Sequence, residues 1–259
     1  LNNTGTIFHK ETGTLGLFGA FFQAGGRLNN QAGGVYDIQG DGNIGTQSTS
    51  IVANDGAFKK TGGGVTTLVA ATLSNAGTVE VRAGTLALAQ APSQLSGTTL
   101  TGGTWNVFDN ASLSFLAGAM IIANAAEVTL YGPNSGFVAI TTLATNSGGF
   151  TLQGGRTFTT RGGLTNAGRI TLGSTDALNV SGGYTQTSSG SLMSEIGGSP
   201  ASGQFGRMTI AGPAALDGGF TSALVNGFGP SAGEVYPVLT FASRSGSFSA
   251  ITGPAVGGI

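Results

Sequence analysis

Few residues in this chain carry the chemistry that catalysis or metal binding needs. Eleven carboxylates, Glu11, Asp37, Asp41, Asp55, Glu80, Asp109, Glu127, Asp176, Glu195, Asp217 and Glu234, are scattered over 259 residues with no two adjacent. Glycoside hydrolysis requires two carboxyl groups roughly 5–9.5 Å apart. Here such a pair could form only between successive repeats, with Glu80 and Asp109 or Asp37 and Asp55 as the combinations to watch. Isolated surface charge is the commoner fate of scattered acids and is the favoured reading. Gly40-Asp41-Gly42-Asn43 looks like one copy of a glycine–aspartate calcium repeat, in which carboxylates and carbonyls build an oxygen cage. No second copy stands nine residues away, which favours a solvated turn. Gly62-Gly63-Gly64 beside Lys59 and Lys60 lacks the residue order of a phosphate loop and reads as a bend between elements.

Cysteine is absent and His9 is the single histidine, so disulfides, thiolate metal sites and His-rich zinc sites fail on arithmetic. His9, flanked by Lys10 and Glu11, reads as an ordinary hydrogen-bonded imidazole. Trp105 offers either a sugar-stacking platform or a core residue, and its place in the repeat described below favours the core. No catalytic residue, cofactor ligand or metal ligand is expected.

Whatever these side chains do must be decided by the elements that hold them. Glycine supplies 48 residues, charged residues only 8%, and hydrophobic residues 39% with fifteen phenylalanines, enough for a core. Ten basic against eleven acidic residues leave a net charge of −1, so there is no electrostatic case for nucleic acid. The longest apolar runs, Leu15 to Phe22 and Met120 to Ala126, fall well short of the roughly 20 residues that cross a bilayer as a helix. The cluster Leu15, Leu17, Phe18, Phe21 and Phe22 is either a packed first coil or an exposed contact patch.

Internal repeats set the architecture. Asn75-Ala76-Gly77-Thr78-Val79-Glu80-Val81, Asn146-Ser147-Gly148-Gly149-Phe150-Thr151-Leu152 and Asn166-Ala167-Gly168-Arg169-Ile170-Thr171-Leu172 share one pattern: polar, small, glycine, any, apolar, any, apolar. Copies start at Asn3, Gln31, Asn54, Asn75, Thr101, Asn124, Asn146, Asn166, Ser188, Leu216 and Arg244, 20 to 28 residues apart. The fifth position is always large and apolar: Ile7, Val35, Phe58, Val79, Trp105, Val128, Phe150, Ile170, Leu192, Phe220 and Phe248. A glycine permitting positive φ, followed by apolar residues at every second place, describes a turn delivering the chain into a half-buried strand. Two or three such strands per repeat make one coil, so the expected fold is all-β, a right-handed parallel β-solenoid of about eleven coils. A β-sandwich is disfavoured, because Asn-Gly and Asp-Gly hairpin signals are few. The Asn side chains of Asn75, Asn124, Asn146 and Asn166 are expected to stack as an amide ladder, and Val79, Trp105, Val128, Phe150 and Ile170 to stack in the core. Gly and Ser enrichment across 181–206 suggests a boundary, with repeats over 1–195 and C-terminal coils plus an atypical cap over 196–259.

The stretch from Asn75 to Leu88 resembles the repeats of secreted bacterial β-helical proteins, especially autotransporter passengers and filamentous-haemagglutinin-like adhesins. Gly227, Phe228, Pro230, Gly233 and Glu234, followed by Ser245, Gly246 and Phe248, resemble the closing segment of such proteins. That resemblance implies a non-enzymatic protein exported to the bacterial surface or medium, serving as an adhesin or matrix scaffold. A self-assembling filament subunit comes next, with the chain itself as partner. A polysaccharide-active β-helix and an ice binder built on pairs such as Thr157-Phe158-Thr159 come last, since varying coil lengths disrupt a threonine array. A host or matrix glycan or protein of unknown identity is the other expected partner. No transmembrane segment is expected.

Overall fold

In the computed structural model, residues 1–18, 25–45, 49–115 and 118–253 are described. Phe21 and Phe22 of the N-terminal cluster lie outside them. The chain is a parallel β-solenoid of about eight turns. It divides into two compact units, the first comprising Leu1–Ile121, Ala126–Leu130 and Asn134–Ile140, the second Ile122–Ala125, Tyr131–Pro133 and Thr141–Ile259.

In the first unit, three parallel faces enclose the core. One contains the strands Asn2–Asn3, Arg27–Asn30, Ile51–Asn54 and Thr72–Asn75. A second contains Thr6–His9, Val35–Ile38, Ala57–Lys60, Thr78–Val81, Thr104–Val107 and Glu127–Tyr131, and a third contains Thr66–Val69, Thr85–Leu88, Ser112–Ser114 and Gly136–Phe137. The second unit repeats the plan. Its first face holds Ala123–Asn124, Thr145–Asn146, Leu164–Asn166, Tyr184–Gln186, Pro213–Leu216 and Ser243–Gly246. Its second holds Gly149–Gln153, Arg169–Leu172, Ser191–Ile196, Gly219–Leu224 and Ala250–Thr252, and its third Thr157–Thr159, Ala177–Val180, Arg207–Ile210 and Leu239–Thr240. The third face has four strands in each unit, so fewer turns are closed on three sides than the eleven that the repeat count implies.

Alternation places every second residue inside. Strand Thr78–Val81 buries Val79 and Val81 completely, and Arg169–Leu172 does the same with Ile170 and Leu172. Consecutive turns align Ile7, Tyr36, Phe58, Val79, Trp105 and Val128 in the first unit. In the second they align Phe150, Ile170, Leu192, Phe220 and Ile251. Val79, Trp105, Phe150 and Ile170 are 0% exposed and Val128 1%. Edge-to-face rings knit the layers, with centroids 5.3 Å apart for Trp105–Phe115, 5.0 Å for Phe115–Phe137 and 5.0 Å for Phe150–Phe158.

Two template positions are corrected. Tyr36, not Val35, occupies the core column, because the turn from Asn30 to Tyr36 carries two more residues than the turn from Asn54 to Phe58 and is closed by a Gly34 N–H to Gln31 C=O bond of 2.8 Å. At the C-terminal end Ile251, not Phe248, continues the column, and Phe248 instead stacks on Phe220 with centroids 5.4 Å apart. The role expected of the turn glycine also changes. Gly56 and Gly77 are absent from the positive-φ residues, and a Cβ at either would collide with the backbone of the preceding turn. Close approach between turns, rather than left-handed backbone, excludes larger residues there.

Variable repeat length has local causes. An antiparallel hairpin, Leu95–Ser96 with Thr99–Leu100, lengthens one turn, and the loop around the short 3₁₀ segment Pro200–Ser202 lengthens another. Residues 207–252 continue the coiling strand by strand.

Candidate functional site

The most regular polar structure lies inside. In the first unit the Asn3 Nδ2 donates to Asn30 Oδ1, Asn30 Nδ2 to Asn54 Oδ1 and Asn54 Nδ2 to Asn75 Oδ1, each at 2.7 Å. In the second unit Asn124 donates to Asn146 and Asn146 to Asn166, both at 2.9 Å, and Asn166 donates to Gln186 Oε1 at 3.4 Å. Each of these asparagines also donates to a nearby backbone carbonyl, so an amide that no turn alone could satisfy is satisfied between turns. The first ladder stops at Asn75, whose Nδ2 donates to Thr104 C=O at 3.1 Å; the next repeat begins with Thr101, which has no amide, and Gly103 closes against Asn75. The second stops at Gln186, whose Nε2 donates to the Asp217 and Gly219 carbonyls at 2.8 and 2.9 Å.

The single ladder expected of Asn75, Asn124, Asn146 and Asn166 is two: Asn75 ends the first, and Asn124, Asn146 and Asn166 stack in the second. The repeat pattern misses Asn30 and Gln186. Asn30 precedes the assumed start Gln31 by one residue, and Gln186 precedes Ser188 by two. The signal available was the Asn30-to-Gly34 and Gln186-to-Gly190 spacing, which both turns share.

Lys60, which stands beside the glycine bend rather than in a phosphate loop, is a buried cation. It occupies the inward position aligned with Ile38 and Val81, and its side chain is 0% exposed. Its Nζ donates to Gly62 C=O at 2.9 Å and Gly40 C=O at 3.3 Å and lies 3.7 Å from Asp41 Oδ1. Two oxygens of the calcium-like Gly40-Asp41-Gly42-Asn43 turn, the Gly40 carbonyl and Asp41 Oδ1, therefore face the chain's own ammonium. Burial pushes the Lys60 amine below its ordinary value, and the Asp41 carboxylate pulls it back. Asp41 Oδ1 also accepts the Val65 N–H at 3.2 Å, and Asn43 Oδ1 the Leu68 N–H at 2.8 Å.

The other chemistry-bearing residues are held apart by separate partners. Asp37 accepts from Thr61 Oγ1 at 2.6 Å and Gln39 Nε2 at 2.8 Å, whereas Asp55 is exposed. Glu80 pairs with Arg82 at 2.9 Å and Lys59 at 3.7 Å, and Asp109 accepts the Asn134 N–H at 2.9 Å. Asp176 is fully buried at a turn, where its Oδ1 accepts the Arg156 N–H and its Oδ2 has no partner. Burial pushes its carboxyl up, against the pull of the Arg156, Gly155 and Gly173 amides, and Glu195 adds to the rise. Trp105 is buried and donates its indole N–H to Gly102 C=O at 3.0 Å, which removes it as a sugar platform. Among the described residues no group of three or more His, Cys, Asp or Glu could hold a metal ion.

His9 lies at the N-terminal mouth of the first unit. Its Nδ1 is 3.2 Å from the Tyr36 hydroxyl and its Nε2 3.3 Å from Gly13 C=O. Burial pushes the Tyr36 hydroxyl up to about 12, so it stays protonated. The Gly13 carbonyl can only accept, so in the neutral ring Nε2 carries the hydrogen and the Tyr36 hydroxyl donates to Nδ1. A shallow apolar cavity of about 340 Å³ opens here, with Leu1, Ile7, Leu15 and Tyr36 in its wall.

Outward positions form columns of their own. On the second face of the first unit, Phe8, Asp37, Lys59, Glu80, Asn106 and Thr129 align turn after turn, so that opposite charges neighbour one another. In the second unit Thr145, Thr165, Thr185, Ala215 and Ser245 form one column and Thr151, Thr171, Met193, Thr221 and Thr252 another. Met193, and Arg207 in the column begun by Thr157 and Ala177, interrupt the flat threonine arrays that an ice-binding face needs.

No family model matches the chain, and neither a curated protein nor a solved structure does.

Proposed function

We propose that the chain is a non-enzymatic β-solenoid scaffold exported to the bacterial surface or surrounding matrix, with its outer columns as the recognition surface. One observation carries this reading: the amides stack inside, while outward columns on successive turns carry runs of hydroxyls, as in Thr145, Thr165 and Thr185, or alternating charge, as in Asp37, Lys59 and Glu80. Each coil contacts chiefly its neighbours, so an outer side chain can change without disturbing distant turns, which suits a recognition surface. Column-forming hydroxyls present donors and acceptors about 4.8 Å apart, a spacing suited to extended polar partners such as polysaccharide chains or unfolded protein segments.

The experiment is a binding panel of matrix polysaccharides and host matrix proteins, with the purified chain and a Thr165→Lys, Thr185→Lys double variant. Binding that falls at least tenfold in the variant, with an unchanged far-UV spectrum, is the expected result. Retention by no member of the panel, or retention indifferent to every outward substitution, would remove the recognition role.

A further inference from the structure

We propose that the third face of the second unit binds acidic polysaccharides of the uronate class, with Arg161 and Arg207 holding carboxylates and the polar column between them holding sugar hydroxyls. This adds a charge-selective face to the surface-protein reading and does not rest on the hydroxyl column of the first face.

The face is built from Thr157–Thr159, Ala177–Val180, Arg207–Ile210 and Leu239–Thr240. Its register buries Phe158, Leu178 and Met208 and turns Thr159, Asn179, Thr209 and Thr240 outward in one column. The three threonines of that column are exposed and Asn179 is half-buried. Arg207 stands outward at the start of its strand, in register with Ala177 and Thr157, and Arg161 follows the buried Thr160 at the far end of the Thr157–Thr159 strand. Both arginines are exposed. Two turns along the axis and four residues across the face separate them, about 16 Å between Cα atoms at the usual strand spacing and rise. Asn179 lies midway.

Neither guanidinium takes part in an ion pair among the described residues. Arg207 lies over the Phe205 ring, 5.7 Å from its centroid, and Phe205 packs edge to face on Tyr236 with centroids 5.6 Å apart. Outward cations of the first unit behave differently, since Lys59 and Arg82 both pair with Glu80. Arg156, just before Thr157, is also occupied, its Nη1 donating to Pro133 C=O at 2.6 Å. No carboxylate stands in the four strands of this face. Asp176, at the adjoining turn, is fully buried, and Glu234 is held by the Tyr236 hydroxyl at 2.7 Å and the Ser231 N–H at 3.1 Å.

Two exposed guanidiniums on a face without acids select an anionic partner by charge complementarity. The planar fork of arginine receives a carboxylate through two parallel bonds, which a lysine cannot do. Threonine hydroxyls and an asparagine amide both donate and accept, as sugar hydroxyls do. A polymer with carboxylates on its sugar rings engages both sets at once. Nucleic acid would leave the hydroxyl column unused, and its backbone calls for more cationic contacts than two.

Binding of the purified 259-residue chain to polygalacturonate, alginate, neutral dextran and single-stranded DNA tests the assignment. The wild type should bind both uronate polymers, more weakly as salt rises, and should hold DNA less tightly than either. Arg161→Gln and Arg207→Gln should each weaken uronate binding by about tenfold, the loss of one charge-assisted contact, and the double variant should lose it. Melting temperatures should stay at the wild-type value, because both side chains are exposed. Lys59→Gln, in the paired column of the first unit, should bind as the wild type does. The Thr165→Lys, Thr185→Lys variant should keep its uronate binding, so failure of this face and failure of the first-face column are read separately. A wild type that binds neither uronate polymer, equal retention of DNA, a double arginine variant that binds as the wild type does, or uronate binding that follows the first-face substitutions would each overturn the proposal.

Discussion

Replacing Asn146 by alanine interrupts the second ladder at its middle. The substitution removes donation to Asn166 Oδ1 at 2.9 Å, to Gly148 C=O at 3.1 Å and to Arg169 C=O at 3.2 Å, and it removes the acceptor for Asn124 Nδ2 at 2.9 Å. Asn124 Nδ2 keeps its bond to Gly149 C=O at 3.1 Å, but Asn166 Oδ1 loses its donor in a 0% exposed site. A stranded buried acceptor costs about 1–3 kcal/mol, and with the weaker carbonyl bonds the total loss should be about 3 kcal/mol. In a chain of this size that corresponds to a fall in Tm of about 6–12 °C. Asn146→Asp should cost more, because a buried carboxylate would face the Asn166 oxygen and two carbonyls, and its deficit should shrink as pH falls and the carboxyl gains a proton to donate. Asn179→Ala is the control: its amide is half-buried and makes only a 3.4 Å bond to Thr159 Oγ1, so the change should stay within about 0.5 kcal/mol. Thermal and urea unfolding of the three variants provide the measurement. An Asn146→Ala chain as stable as Asn179→Ala would refute the ladder as a source of stability.

Val79→Asp buries a charge at a 0% exposed core position and should cost several kcal/mol, whereas Glu80→Gln should stay within about 1 kcal/mol; equal melting temperatures would contradict the alternation. Lys60→Met should lower Tm at neutral pH, since it strands the Gly40 and Gly62 carbonyls and leaves Asp41 without its cation. Because the folded-state value of Lys60 is depressed, the unfolded chain holds the extra proton and wild-type stability should rise as pH climbs towards the ordinary lysine range; urea titrations should show that Lys60→Met lacks this rise. Asp176 has the opposite sign: its folded-state value is raised, so its contribution falls as pH climbs above the ordinary carboxyl value of about 3.8, and Asp176→Asn should remove that part of the slope.

Much of the fold was legible because one physical requirement recurs in each coil. Asn75, Gly77, Val79 and Val81 state it plainly: an amide to stack, a glycine for close approach, and two inward apolar residues. Register was lost where the turn grows by two residues, as from Asn30 to Tyr36, since spacing counted from glycine cannot tell a longer turn from a shifted strand. Lys60 was illegible for another reason. Composition and periodicity assign a lysine to the surface, and only the third dimension shows Gly40 and Gly62 carbonyls converging on its ammonium from adjacent turns. The reading of the scattered carboxylates as isolated surface charges fails at Asp37 and Asp176, which are buried, and which cations engage an acid, as Arg82 and Lys59 do Glu80, depends on stacking between turns.

The central claim is that this solenoid recognises extended partners without transforming them. Incubating the purified chain with plant and bacterial polysaccharides and following reducing ends and unsaturated sugars tests it most directly. Retention on at least one polymer with no product above the protein-free control is the expected result. Steady product release that is abolished by replacing a single acid, such as Asp37 or Asp176, would contradict it.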